Sequence, residues 1–352
     1  MTPDVSAKAR SSAVLALSQA WEDTLEFLFK PLDVGRWLWL SFICVFLGGG
    51  TSSAAFNWSL GSLPGDVGFD RVLGPVRQYV LDHLWLTVLA ATLALSFGLC
   101  LLYLRTVCRF VLVDALVRHE VRPVPAWVEN RPLGHSYFVW LLTTLVLVGV
   151  ALTLGAIAVF PHLRTMASNG IRSPAFWAVL IALLLIDISV GLLLALLITL
   201  TDDLVVPIMY AEGLTVLPAW KRLWESLRTE AGGFTVYVLL RFAVAVAVGA
   251  TALFFLFPIL VGLFSGAIIT GVLVLLSLRL LGLAWVWNPL TTALASAALL
   301  LLVVAVLILL SVVGMPGQLL IQNLGIRFIS VRTPSLDALL HAGREEREHT
   351  AS

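Results

Sequence analysis

Asp187, Asp202, Asp203 and Arg241 stand within or at the ends of long apolar runs, and they are the first residues to weigh for chemistry. Asp187 lies near the middle of its run, in Leu185-Ile186-Asp187-Ile188-Ser189. An ionisable side chain at that depth costs about 2.5–3.5 kcal/mol on insertion scales, so it faces protein or water. It can carry a proton or a cation, or it can fix helix packing by hydrogen bonding to Ser189 or a neighbouring Thr. Arg241 lies about eight residues, roughly 12 Å by helix rise, inside the following run. Asp202 and Asp203 close the run before it on the same side. These spacings predict a buried charge pair between Arg241 and one of the two aspartates. An anionic-ligand site and snorkelling of the arginine are the alternatives.

Pro207 and Gly213 flank a broken helical turn, whose freed carbonyls need protein or water. That geometry binds ions in some transporters; more commonly it steers a chain out of a span. The Asp pair has no His or further carboxylate at ligand spacing, so no metal site is expected. Arg105, Arg109, Arg118, Arg122 and Arg131 form the densest basic stretch, beside Trp127. Each cation near an anionic leaflet contributes about 1 kcal/mol, so these are candidates for phospholipid headgroups. Setting the topology requires the same charges. His83, His119, His135 and His162 lie near run ends and do not cluster, and Cys44, Cys100 and Cys108 read as small apolar residues. No P-loop, G-x-S-x-G, H-E-x-x-H or paired-Cys motif is present. No catalytic residue and no cofactor is expected.

The elements that must hold these residues are set by composition. Of 352 residues, 60% are hydrophobic and 12% charged, with a mean hydropathy of +0.99. A water-facing domain carries about a quarter charged residues, and runs of about 20 apolar residues match a bilayer core some 30 Å thick. The runs are continuous and rich in Leu, Ala and Val, which excludes the alternating pattern of an outer-membrane barrel. A net charge of +1 gives no basis for nucleic-acid binding.

Three tryptophan-marked segments each precede apolar runs: Ser18-Gln19-Ala20-Trp21, Val124-Pro125-Ala126-Trp127 and Leu217-Pro218-Ala219-Trp220. The tryptophans are 106 and 93 residues apart. Each segment reads as an interfacial amphipathic helix followed by a transmembrane hairpin. Val14, Leu17, Trp21, Leu25 and Leu28 form the first apolar stripe, with Glu22, Asp23 and Glu26 elsewhere on the wheel. This pattern, not a signal peptide, accounts for the N-terminal region. Leu217, Trp220, Leu223, Trp224 and Leu227 form the third stripe, which Gly232-Gly233 ends.

Spans are expected at about 37–57, 84–106, 137–160 (stopped by Pro161), 176–201, 234–257 (stopped by Pro258) and 289–313. Residues 263–287, with Arg279 and Trp285-Val286-Trp287, read as re-entrant; a seventh span is the alternative. The positive-inside bias favours six, with both termini cytoplasmic in a bacterial inner membrane. The three like-oriented repeats cover about 12–106, 123–201 and 216–313, and 314–352 is a cytoplasmic tail. Residues 111–116 and 125–127 align without gaps to 204–209 and 218–220, which supports the repeat. The segment 327–340 reads as a degenerate closing copy.

Two stretches carry a resemblance. Phe27-Leu28-Phe29-Lys30-Pro31-Leu32-Asp33-Val34-Gly35-Arg36-Trp37-Leu38-Trp39-Leu40 is one, and Asp202-Asp203-Leu204-Val205-Val206-Pro207-Ile208-Met209-Tyr210-Ala211-Glu212-Gly213 is the other. Over about 20–325 the chain resembles an uncharacterised bacterial multi-pass family, itself similar to the membrane domain of some glycerophosphodiester phosphodiesterases. Those enzymes do their chemistry in an attached soluble barrel whose length and carboxylates are lacking here. The resemblance therefore implies a membrane domain and no catalytic residue.

The expected architecture is an all-α polytopic membrane protein. The expected role is non-enzymatic: a scaffold or accessory subunit contacting membrane lipids and either another membrane protein or a second copy. A lipid or small-molecule permease using Asp187, Asp202, Asp203 and Arg241 is the alternative.

Overall fold

The computed structural model describes residues 3–30, 33–47, 78, 81–168, 174–280 and 289–351. Among them there is no strand. The helices are α1 (Pro3–Phe29), α2 (Val34–Phe46), α3 (Leu84–Arg118), α4 (Pro123–Ser168) and α5 (Pro174–Leu200). After a π-helical turn at Thr201–Val205 come α6 (Val206–Glu212), α7 (Val216–Thr229), α8 (Ala231–Leu280), α9 (Pro289–Ser330) and α10 (Pro334–Ala351). Five stretches among the described residues are long and apolar enough to cross a membrane: Leu84–Arg118, Pro123–His162, Trp177–Glu212, Ala231–Ser277 and Thr291–Ser330. The described residues are thus almost wholly helical, and these five stretches are compatible with a multi-pass membrane protein.

Several expected boundaries move. Pro161 lies inside α4 and Pro258 inside α8, where each was expected to stop a span. In a long apolar helix, local adjustment and neighbouring groups can satisfy the carbonyl that a proline leaves free. As a result, residues 234–257 and 263–280 form one helix of 50 residues, about 75 Å long by helix rise. That is more than twice a bilayer core of ~30 Å. Gly232 and Gly233 open α8 rather than ending α7. The interfacial segment at 123–136 is the first part of α4, continuous with its span. The expected first span is helical to Phe46. Residues 48–57, the Gly48-Gly49-Gly50 run, residues 58–77, Arg172 and Trp285-Val286-Trp287 lie outside the described residues. Residues 314–330, read as the start of a tail, belong to α9, and Met315, Leu319, Leu324 and Phe328 there are buried.

The chain divides into two compact units, Met1–Thr51 with Val111–Val124 and Lys221–Ser352, and Ser52–Phe110 with Pro125–Trp220. In the first unit α9 packs on α1, α2, α8 and α10. The face of α1 turned inward is Ala16, Ala20, Asp23, Thr24, Phe27 and Leu28. The stripe read from the sequence differs: Val14, Trp21 and Leu25 point outward. Asp23, expected on the polar side, is buried and accepts from Arg327 Nε at 2.6 Å. Beside it the Asn323 amide donates to Thr24 Oγ1 at 2.9 Å. Tyr237 stacks on Phe328 with centroids 4.5 Å apart.

Of the stretch 27–40 that carries the resemblance, the described residues close α1 at Phe29 and open α2 at Val34. Asp33 caps α2 by accepting from the Gly35 N–H at 2.8 Å. Arg36 and the Trp37 indole donate to the carbonyls of Phe27 and Leu28, which lie in the last turn of α1.

In the second unit α4 crosses α3 closely at Gly134. A Cβ there would lie 2.7 Å from Val107 Cγ2 and 3.0 Å from Val107 Cα, so a small residue is required. The buried wall is Val107, Phe110, Leu141, Leu204, Val205, Val206, Ile208 and Met209. α7 starts in this unit with Val216 and Ala219 buried and Leu217 exposed, and continues in the first unit with Leu223 buried and Trp224 exposed; Leu217 and Trp224 were both assigned to the apolar stripe.

Candidate functional site, a buried charge cluster

The second unit gathers Arg105 and Arg109 from α3, Tyr137 from α4, and Asp202 and Asp203 from the π-helical turn. The turn has a local cause. Pro207 has no N–H, and in a regular helix its ring would clash with the carbonyl of Asp203, four residues back. The backbone widens instead, and the Val206 N–H donates to the carbonyl of Thr201, five residues back. Such bulges recur at functional sites. Widening brings two consecutive side chains inward together, and Asp202 and Asp203 are 5% and 1% exposed. The helix then runs through Pro207 and stops at Gly213, whose φ of 65° is left-handed and suits glycine. The break expected between Pro207 and Gly213 is therefore at Gly213.

Asp202 is the centre. Arg109 donates to its Oδ2 at 2.7 Å and Arg105 approaches the same oxygen at 3.4 Å. The Tyr137 hydroxyl donates to Oδ1 at 2.5 Å. Asp203 Oδ1 lies 3.9 Å from Arg109. Two guanidinium groups face two carboxylates, so the cluster is neutral where all four are ionised. The aromatic packing fixes Tyr137: it meets Phe110 edge-on and stacks on Trp140, which in turn lies against Trp220. A carboxylate whose two oxygens are both engaged is a strong clamp. It is not a poised base.

The structure sorts the sequence candidates differently from their spacing. Asp202 has basic partners in Arg105 and Arg109, which were assigned to lipid headgroups. Arg241 lies half-buried on α8 in the first unit. Asp187 is exposed on α5, in the middle of its apolar stretch. Arg118 and Arg122 are also engaged within the protein: Arg118 Nε is 3.0 Å from Asp114 and an Arg122 nitrogen 3.5 Å from it. Arg131 is exposed. Among the described residues, no three His, Cys, Asp or Glu side chains gather as a metal site would need.

Sequence reading missed Asp114, Tyr137 and the Asp23–Arg327 pair. Asp114 had a legible signal in Arg118, four residues on along the same helix. Tyr137 and Asp23 had none, because their partners lie 65 and 304 residues away.

A family of unknown function, DUF7544, has a model that matches residues 11–339 of the chain. No curated protein and no solved structure matches it.

Proposed function

The chain belongs to that family of unknown function, and we propose that it is a non-enzymatic membrane scaffold or accessory subunit. One observation carries this reading. In four of the five candidate spans, none of the eighteen most apolar residues is buried within the protein. Bare helices of this kind are surfaces for lipid or for the helices of another chain. Some of the charges, by contrast, pair with one another at packed ends, as Asp202 does with Arg109 and Asp23 with Arg327. The likeness to the membrane domain of some glycerophosphodiester phosphodiesterases belongs to the same proposal. It implies a membrane module and no chemistry of its own.

The proposed topology keeps six spans in three like-oriented repeats, with both ends in the cytoplasm of a bacterial inner membrane. Matching local structure supports the repeat. Residues 111–117 of α3 and 206–209 of α6 are buried, and each helix is followed by a left-handed residue, His119 or Gly213. The next helices start at Pro123 and Val216, 93 residues apart, and bury Ala126 and Ala219 alike. At that offset Arg109 and Asp202 are equivalent positions, and they pair with each other.

The runner-up is a permease using Asp187, Asp202, Asp203 and Arg241. Exposure of Asp187 amid apolar neighbours supports it, because a carboxyl at that depth needs water or a polar partner. The test is the mass of the intact assembly released from membranes in lipid nanodiscs. A stoichiometric second chain, either a different protein or another copy, is the expected result. A lone monomer that passes protons or cations in vesicles, with the flux abolished by Asp187→Asn, overturns the scaffold reading in favour of the permease.

A further inference from the structure

The five-arginine stretch does not act as a unit. Arg105 and Arg109 are committed to Asp202, and Arg118 and Arg122 to Asp114. Arg131 alone of the five is in no described ion pair, and its side chain is exposed. Its surroundings are specific. Trp127, Arg131 and His135 follow one another at four-residue steps, so they share one face of α4. Tyr103 of α3 braces that face, its ring lying 6.5 Å from Trp127, 6.5 Å from His135 and 5.5 Å from Phe138. Glu129, two residues before Arg131, lies on a different side of the helix. From Arg131 the apolar part of α4 begins about six residues on, roughly 9 Å along the axis.

We infer that Trp127, Arg131 and His135 form a docking site for the phosphate of an anionic phospholipid. The cation supplies the charge complementary to phosphate, in a planar fork suited to its oxygens. Trp127 and Tyr103 are amphipathic rings of the kind that settle at headgroup level. The acyl chains would follow the bare span that continues the same helix, which is why the occupant is a lipid rather than a free phosphate. The inference rests on the reading that these spans face lipid, and it reduces a five-residue basic patch to one committed site.

The experiment is native mass spectrometry of the full chain in detergent, titrated with phosphatidylglycerol or phosphatidylcholine. Wild type is expected to retain phosphatidylglycerol preferentially. Arg131→Gln should lower that retention about fivefold, equivalent to the ~1 kcal/mol contributed by one cation at an anionic leaflet. Arg131→Lys should keep most of it. Lys30→Gln removes one charge elsewhere and should leave it unchanged. Equal losses from Arg131→Gln and Lys30→Gln would mean a response to net charge alone and would overturn the site. So would unchanged retention in Arg131→Gln. Displacement of the lipid by millimolar inorganic phosphate would show a phosphate site and overturn the lipid assignment. If no variant retains either lipid, the lipid-facing reading itself fails, a result distinct from loss of the anionic preference alone.

Discussion

Asp187 and Asp202 stand 15 residues apart on one helical stretch, Trp177–Glu212, and meet opposite fates. Asp202 is buried at the packed end, with two guanidinium groups and a phenol on its oxygens. Asp187 is exposed between Ile186 and Ile188, on a stretch whose most apolar eighteen-residue window contains no buried residue. Both stand in apolar surroundings, Asp187 alone and Asp202 beside Asp203, and the local sequence does not name the partners that Asp202 finds. The comparison teaches where this chain spends its internal interactions: at the ends of its spans, through Val, aromatic and paired charged residues. In the middles of four of the five candidate spans, the most apolar eighteen-residue window holds no buried residue among those described.

The sharpest way to break the comparison is Asp202→Ala. Removing one partner leaves Arg109 buried with only the more distant Asp203, and stability should fall by about 3–5 kcal/mol. Denaturant unfolding in detergent reads this directly. Replacing both partners, Asp202→Leu with Arg109→Met, should cost clearly less than the sum of the single changes. A purely additive cycle would show that the two do not form a clamp. Next in size is Tyr137→Phe, which deletes one hydrogen bond to a charged acceptor and should cost about 1.5–3 kcal/mol in the same assay. Arg105→Gln should cost at most about 1 kcal/mol and lose its effect at high salt, because that side chain is 35% exposed. The smallest effect belongs to Asp187→Asn, within about 0.5 kcal/mol of wild type. A loss as large as that of Asp202→Ala would mean that Asp187 has a helix partner, and the contrast would disappear.

Parts of the fold were legible without coordinates. Five of the apolar runs appear as long helices near their expected places, because twenty consecutive apolar residues have few alternatives in a bilayer. The 93-residue offset seen in Trp127 and Trp220 returns in the starts of α4 and α7. The prolines misled. Pro161 and Pro258 read as stops by soluble-helix rules, yet α4 and α8 run through both. The amphipathic stripes misled as well. On α1 the expected stripe is split: Leu28 is buried with Ala16, Ala20, Asp23, Thr24 and Phe27, whereas Val14, Trp21 and Leu25 are exposed. Periodicity gives the existence of a face; it does not say whether lipid or protein lies against it.

The sequence by itself determined that the chain is helical, of membrane type and without a recognisable catalytic motif, because these follow from composition and spacing along one strand of chain. Only the tertiary structure decided which arginine meets which aspartate. Spacing reports neighbours on the same helix, whereas the groups around Asp202 come from α3 and α4, 65 to 97 residues away. Which helix lies across from a carboxylate is set by close approaches such as Gly134 against Val107, and by the extra width of one turn before Pro207. Those are properties of packing, and no local pattern encodes them.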